Sequence, residues 1–227
     1  MIARRLWLGV LGLAAAAGGA VTVWVATPTE ADLPLPRPLE AWTGEPPAGS
    51  YSQDFAALAK AFRPQKYRSF CGPATIETVL RAYGHSQVSQ ASVFPSFSSK
   101  VDTFYSGMSL AELAQLAEST GLQTEIVYAD SLDLEAFRAR LKANLEQPGD
   151  FVVVNYDRRV LHQAGAGHIS PIAAYDESRD AFLILDEAAY RYPFTWIPAT
   201  LLYQAAHTRA DDHFRGVLFI SGHRPFN

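Results

Sequence analysis

The chain is poor in sulfur. Its 227 residues hold one cysteine, Cys71, and two methionines. A single cysteine can neither close an internal disulfide nor build a multi-cysteine zinc site. The thiol is therefore either a packing residue or a free reactive group. Basic excess is also absent: 19 Lys and Arg stand against 23 Asp and Glu, a formal charge of −4. No basic stripe marks a nucleic-acid surface, and none is expected. Internal repeats and long low-complexity runs are missing too. What remains is a 48% hydrophobic chain, long enough to bury a substantial core in one domain.

Charge disappears altogether over Leu6–Ala26, directly after Arg4-Arg5. A helix of that length spans roughly 30 Å, about one bilayer core. The charged start and apolar middle fit an uncleaved anchor or a signal peptide. The anchor is the preferred reading, because Trp24 sits where a cleavage site favours a small residue and Ala31 lies well past the apolar run. Residues 1–26 are thus expected to contact the membrane through 6–26. Either reading puts the rest outside the inner membrane, on the periplasmic side. Residues 27–50, rich in Pro, Gly and Thr, read as a linker, and 51–227 as the folded domain.

Within that domain, Phe55, Leu58, Ala59 and Phe62 share one helical face, ended by Pro64. Ala74–Tyr83 reads as a second helix, with Pro73 in its first turn and Gly84 at its end. Ser109 and Glu112 form a capping-box pattern ahead of a third, which Gly121 stops. An amphipathic helix over residues 131–147 follows the strand-like "TEIVYA". Then come short β-rich runs: "FVVVNY", "HISPIAAY", "AFLILD" and "GVLFIS". Helices first and sheet later indicates an α+β domain.

Cys71 precedes that second helix, where free N–H groups and partial positive charge favour thiolate. Gly72 is read as leaving room for a substrate. A thiolate nucleophile needs an imidazole, oriented in turn by a carboxylate or amide. Of six histidines, His168 follows small residues in "GAGHISPIAAY", and Asp186 ends "AFLILD". If those strands form a hairpin turning through Asp176–Ser178, Tyr175 faces Arg179 and His168 faces Asp186, with Cβ atoms about 5 Å apart. A longer loop or a bulge would shift this register. Gln65, through its side-chain NH₂, and the Cys71 backbone N–H are candidate oxyanion donors.

"PQKYRSFCGPATIETVLRAYG", the run from Phe151 to Asp186, "YRYPFTWIPATLLYQA" and "FRGVLFIS" together resemble the phytochelatin synthase family, of the papain-like cysteine peptidase group, from about Ser52 to Ser221. The resemblance implies a papain-like fold, a helical lobe carrying the nucleophile packed on an antiparallel sheet carrying His and Asp. It implies Cys71 as nucleophile, His168 as general base and acid, Asp186 orienting the histidine and Gln65 lining the oxyanion hole. Arg215 would hold the γ-glutamyl end of the substrate, and Asn155 and Gly167 would line its pocket. The substrate implied is glutathione: the Cys–Gly amide is cleaved, and a γ-glutamylcysteinyl thioester passes to water or to a second glutathione, which yields a phytochelatin. No cofactor is required; cadmium or zinc would act through glutathione thiolates, and no protein metal site is expected. Many members carry an Arg three residues after the catalytic Asp, where this chain has Ala189. With no cysteine-rich C-terminal region within these residues, the chain resembles the short bacterial members, and hydrolysis is expected to dominate.

The remaining charged groups carry less. "HTRADDH", His207–His213, reads as a polar loop, not a metal site. His162 reads as a surface residue, and Arg138, Arg140, Arg158 and Arg159 as solvated positions. A general papain-like peptidase acting on peptides outside the inner membrane is the alternative enzyme, and a tethered binding protein the non-enzymatic one. Oligomeric state stays open.

Overall fold

The computed structural model describes residues 35–37, 39–46, 50, 53–210 and 212–223. The apolar N-terminal stretch read as an anchor lies outside the described residues. Among those described, no helix is long and apolar enough to cross a membrane.

Seven strands form one antiparallel sheet: β1 (Glu40–Ala41), β2 (Leu122–Tyr128), β3 (Phe151–Asp157), β4 (Gly167–Asp176), β5 (Ala181–Ile184), β6 (Thr195–Pro198) and β9 (Gly216–His223). Their order is β1-β6-β5-β4-β3-β9-β2. A small hairpin, β7 (Arg209–Ala210) with β8 (His213–Phe214), stands apart. The helices are α1 (Phe55–Ala61), α2 (Cys71–Ala82), α3 (Phe97–Ser106), α4 (Leu110–Ser119), α5 (Leu134–Leu145) and α6 (Ala199–Ala206). The α+β reading stands. The Ser109–Glu112 capping box opens α4 as expected.

Strand alternation builds two cores. Val153, Ile169 and Leu218 point to one face, where Leu58 of α1, Ile76 and Leu80 of α2 and Leu113 of α4 pack. Val152, Val154, Phe182 and Val217 point to the other, covered by Phe137 and Leu141 of α5 and Leu202 of α6. The helix that opens with Cys71 lies on one face of the sheet, and the opposite face is covered as well. Burial on both faces is why "FVVVNYD" is apolar almost throughout and buried along its length.

Two expectations need correcting. The linker does not run to residue 50: β1 pairs Glu40 with Trp196 at the sheet edge. Leu39 is buried and Trp42 packs against Phe55 and Phe194, so apolar contacts hold that segment on the domain. The β4–β5 hairpin also turns later than expected. Asp176 faces Ala181 and Tyr175 faces Phe182, not Arg179. By Ile172 the partner is Ile184. Four steps along β4 thus match three along β5, and Ala173 is the extra residue of a bulge.

Candidate active site

The bulge decides which carboxylate meets His168. Continued without it, the register would put His168 opposite position 189 and on the same face as Glu187. One extra residue reverses that parity, so Asp186 shares the histidine's face as a diagonal neighbour. The His168–Asp186 contact read from spacing is present, by a different register: Nε2 lies 3.0 Å from Asp186 Oδ1. Nδ1 is then the ring nitrogen that Asp186 does not engage. The ring meets Tyr156 edge-on at 5.6 Å from the facing strand.

Cys71 is the first residue of α2 and is buried. Sequence reasoning expected the helix start to lower its pKa. Burial outweighs that field and pushes the thiol up to about 11, although the Ile169 and Gly72 N–H groups and the Arg158 charge pull the other way. Burial, aided by the Arg158 charge, pushes His168 down to about 4. At neutral pH the pair rests as thiol and neutral imidazole. At Gly72 a Cβ would fall 2.7 Å from Met108 Sδ and 3.2 Å from Leu113 Cδ1. Met108 itself lines the cavity, so Gly72 packs where the helix meets its wall.

Cys71 and His168 line one cavity of about 1160 Å³, together with Gln65, Asn155, Gly167 and Arg215. Six of the seven sequence-predicted residues line it, and the seventh, Asp186, lies behind His168. Gln65 is buried, but its Nε2 donates to the carbonyls of Tyr67 (3.0 Å) and Arg68 (2.9 Å), so it braces the loop ahead of Cys71. Its Oε1 is buried with no hydrogen-bond partner. Arg215 donates from Nη1 to Thr208 Oγ1 at 3.0 Å and to the Arg209 carbonyl. Its Nη2 occupies the place a Gly167 Cβ would crowd, at 2.9 Å, which explains that glycine.

Arg158 overturns its reading as a solvated residue. Its side chain is 3% exposed, and Nη2 donates to both oxygens of Asp186 at 2.6 and 2.8 Å. Nη1 donates to Gln163 Oε1 at 2.6 Å. Alternation offered a signal: Arg158 stands two residues after Tyr156, whose partner in register is His168. Arg138 is mostly buried and forks onto Asp180. Arg140 pairs with Glu125, and Arg159 with Asp157. Of the outlying histidines, His162 is exposed with φ 55°. His207 touches Tyr203 and Phe214, while His213 stacks on Tyr128. Asp211 lies outside the described residues, and among those described no three His, Cys, Asp or Glu side chains gather to hold a metal.

A cysteine opening a helix, with an imidazole on the same cavity and a carboxylate behind it, is the arrangement of thiol-nucleophile proteins. The sequence model of the phytochelatin synthase family matches residues 45–216, and the chain belongs to that family. Glutathione gamma-glutamylcysteinyltransferase 3 of Lotus japonicus is 31% identical over 180 residues, covering 74% of this chain and 38% of its own. Glutathione gamma-glutamylcysteinyltransferase 1 of Triticum aestivum is 29% identical over 184 residues, 76% of this chain and 37% of its own. The Schizosaccharomyces pombe glutathione gamma-glutamylcysteinyltransferase is 26% identical over 162 residues, 67% and 39%. This chain spans less than half the length of these relatives.

Proposed function

We propose that the protein is a papain-like thiol acyltransferase acting on glutathione. The observation that carries this reading is Cys71 at the start of α2, sharing a cavity with His168, whose Nε2 is tied to Asp186. The names of the relatives supply the substrate. His168 takes the thiol proton as the sulfur attacks the carbonyl carbon of the Cys–Gly amide. The C–N bond then breaks, His168 returns the proton to the departing glycine amine, and a γ-glutamylcysteinyl thioester remains on Cys71. Because the resting pair is neutral, proton transfer and attack are coupled. The Cys71 N–H and the Gln65 amide stabilise the oxyanion; Gln65 reaches that role by releasing one of its two carbonyl partners. Arg215, beside Gly167 and Asn155, receives a carboxylate of the γ-glutamyl end.

The thioester passes to water or to a second glutathione. The cavity exceeds the roughly 300–1,000 Å³ common for single small ligands, which suits an acceptor lying beside the donor. Arg68 and Arg191 line it and offer further charge for an anionic acceptor. Ala189 is exposed between Ala188 and Tyr190, which both line the cavity, so the charge missing there belongs to its edge. On that ground hydrolysis to γ-glutamylcysteine dominates and peptide extension is slow. Cadmium and zinc enter as glutathione thiolates, as substrate. The Arg4-Arg5 start and the uncharged run after it support a domain tethered outside the inner membrane. Incubating the chain with glutathione, with and without cadmium or zinc, and resolving the thiols tests the reading. γ-Glutamylcysteine is expected, and Cys71→Ala should lower its formation by on the order of a thousandfold or more. Cleavage of peptide libraries with glutathione untouched would refute it and favour the peptidase; rapid accumulation of long oligomers would refute the hydrolytic bias.

A further inference from the structure

Arg158 is held on every side. Its backbone N–H donates to the Ala166 carbonyl at 3.0 Å, and its own carbonyl accepts from Gln163 N at 2.9 Å. The guanidinium lies 5.2 Å from the Tyr192 ring and 5.8 Å from the Tyr156 ring. Ala188 N adds a third donor to Asp186 Oδ1 at 2.8 Å. The carboxylate behind His168 is thus fully paired, and both members of the ion pair are shut off from solvent, at 3% and 2% exposure.

We propose that Arg158 is a positioning residue of the reaction: its Nη2 bridges both oxygens of Asp186 and its charge cancels that of the carboxylate, so the relay behind Cys71 is Arg–Asp–His and electrically neutral. A lone aspartate would both orient the imidazole and favour its protonation. With the arginine present the orientation is kept and the electrostatic pull is offset. His168 therefore stays unprotonated as a base until the thiol proton arrives, and the imidazolium then formed is a strong acid toward the glycine amine.

The groups bearing on His168 are few. Asp186 and Arg158 lie behind it. The Tyr156 ring comes from β3 and the Arg191 charge from the segment after β5, and the Cys71 thiol on α2 lines the same cavity. Buried Glu187 adjoins Asp186. Removing Arg158 leaves Asp186 as the dominant neighbour, so the imidazole titration must move up in pH.

The catalytic part of this inference and the kinetic arm of its test rest on the acyl-transfer reading; the titration arm does not. The test is ¹³C NMR titration of the full chain labelled at histidine, with the His168 signal assigned from His168→Asn. In the wild type His168 is expected to stay neutral to below about pH 5, and in Arg158→Gln to titrate about one unit or more higher, the scale of a nearby ion pair. Arg158→Lys keeps the charge but loses the planar guanidinium that reaches Asp186 through Nη2 and Gln163 through Nη1: its titration should stay near wild type while kcat for glutathione cleavage falls at least about tenfold and KM changes little. A wild-type His168 titrating near the ordinary value of about 6.5 would overturn the proposal. So would a folded Arg158→Gln with an unmoved His168, or an Arg158→Lys enzyme as fast as wild type. Should Arg158→Gln fail to fold, the wild-type titration and the lysine variant still decide.

Discussion

Burial dominates at the scale of single residues. The N-terminus of α2 and two N–H groups favour a Cys71 thiolate, yet loss of solvent wins and the thiol rises to about 11. The same cause holds His168 neutral to about 4, while an unfolded chain takes that proton near 6.5. Protons therefore bind the unfolded state preferentially between those values. The stability involved is whole above about 6.5 and lost as pH falls through 4, at most about 3 kcal/mol. Asp186 acts in the same direction further into acid: burial alone would raise its carboxyl, but Arg158 and His168 hold it below the usual range. Urea melts at pH 7.5 and 4.5 should show wild type losing more stability than His168→Gln; equal losses would refute this. Glu187 has the opposite sign. Burial first, then the Asp186 charge, pushes it well above the ordinary range, so the folded chain keeps a proton that the unfolded one releases. Its contribution fades as pH rises beyond about 4.5. Glu187→Gln keeps an acceptor for Thr78 Oγ1, which now donates to Oε1 at 3.3 Å. The variant should gain a few degrees of Tm at pH 8, with the gain shrinking toward pH 4.

At the scale of elements, strand irregularities place the site. The Ala173 bulge puts Asp186 rather than Glu187 on the histidine's face. Gly216 does comparable work for Arg215. It pairs with Asn155 of β3 on one side and Tyr128 of β2 on the other, and a Cβ there would collide with the Val127 carbonyl oxygen. Gly216→Ala must push β9 away from β2 and move Arg215 with it. Overpacking of this kind costs about 1–3 kcal/mol. Melting should show that loss, and kinetics should show KM for glutathione rising more than kcat falls; unchanged KM would detach Arg215 from substrate binding.

At the scale of the molecule, the sheet is closed on both faces, and part of its edge comes from far upstream. β1 brings Leu39 and Trp42 onto the domain. Burying an apolar side chain of this size contributes about 1.5–3 kcal/mol when complete, and Trp42 is only half-buried. A chain beginning at residue 51 should lose about 2–4 kcal/mol against one beginning at residue 35, several degrees of Tm. Identical melting curves would show that β1 contributes nothing.

The sequence by itself determined what is local or periodic. A cysteine followed by Gly72-Pro73 and an apolar face reads as the start of a helix, the Ser109–Glu112 pattern as a cap, and alternating runs as strands. The types and order of Cys71, His168 and Asp186 were equally legible, because the proposed chemistry would need those groups. Tertiary structure alone decided the β4–β5 register, since a bulge is one residue that alternation does not mark. It also decided that Arg158 lies under Asp186 instead of in water, and that the thiol is raised instead of lowered. Desolvation is set by what every other segment places around a group, and no neighbouring residue in sequence encodes that.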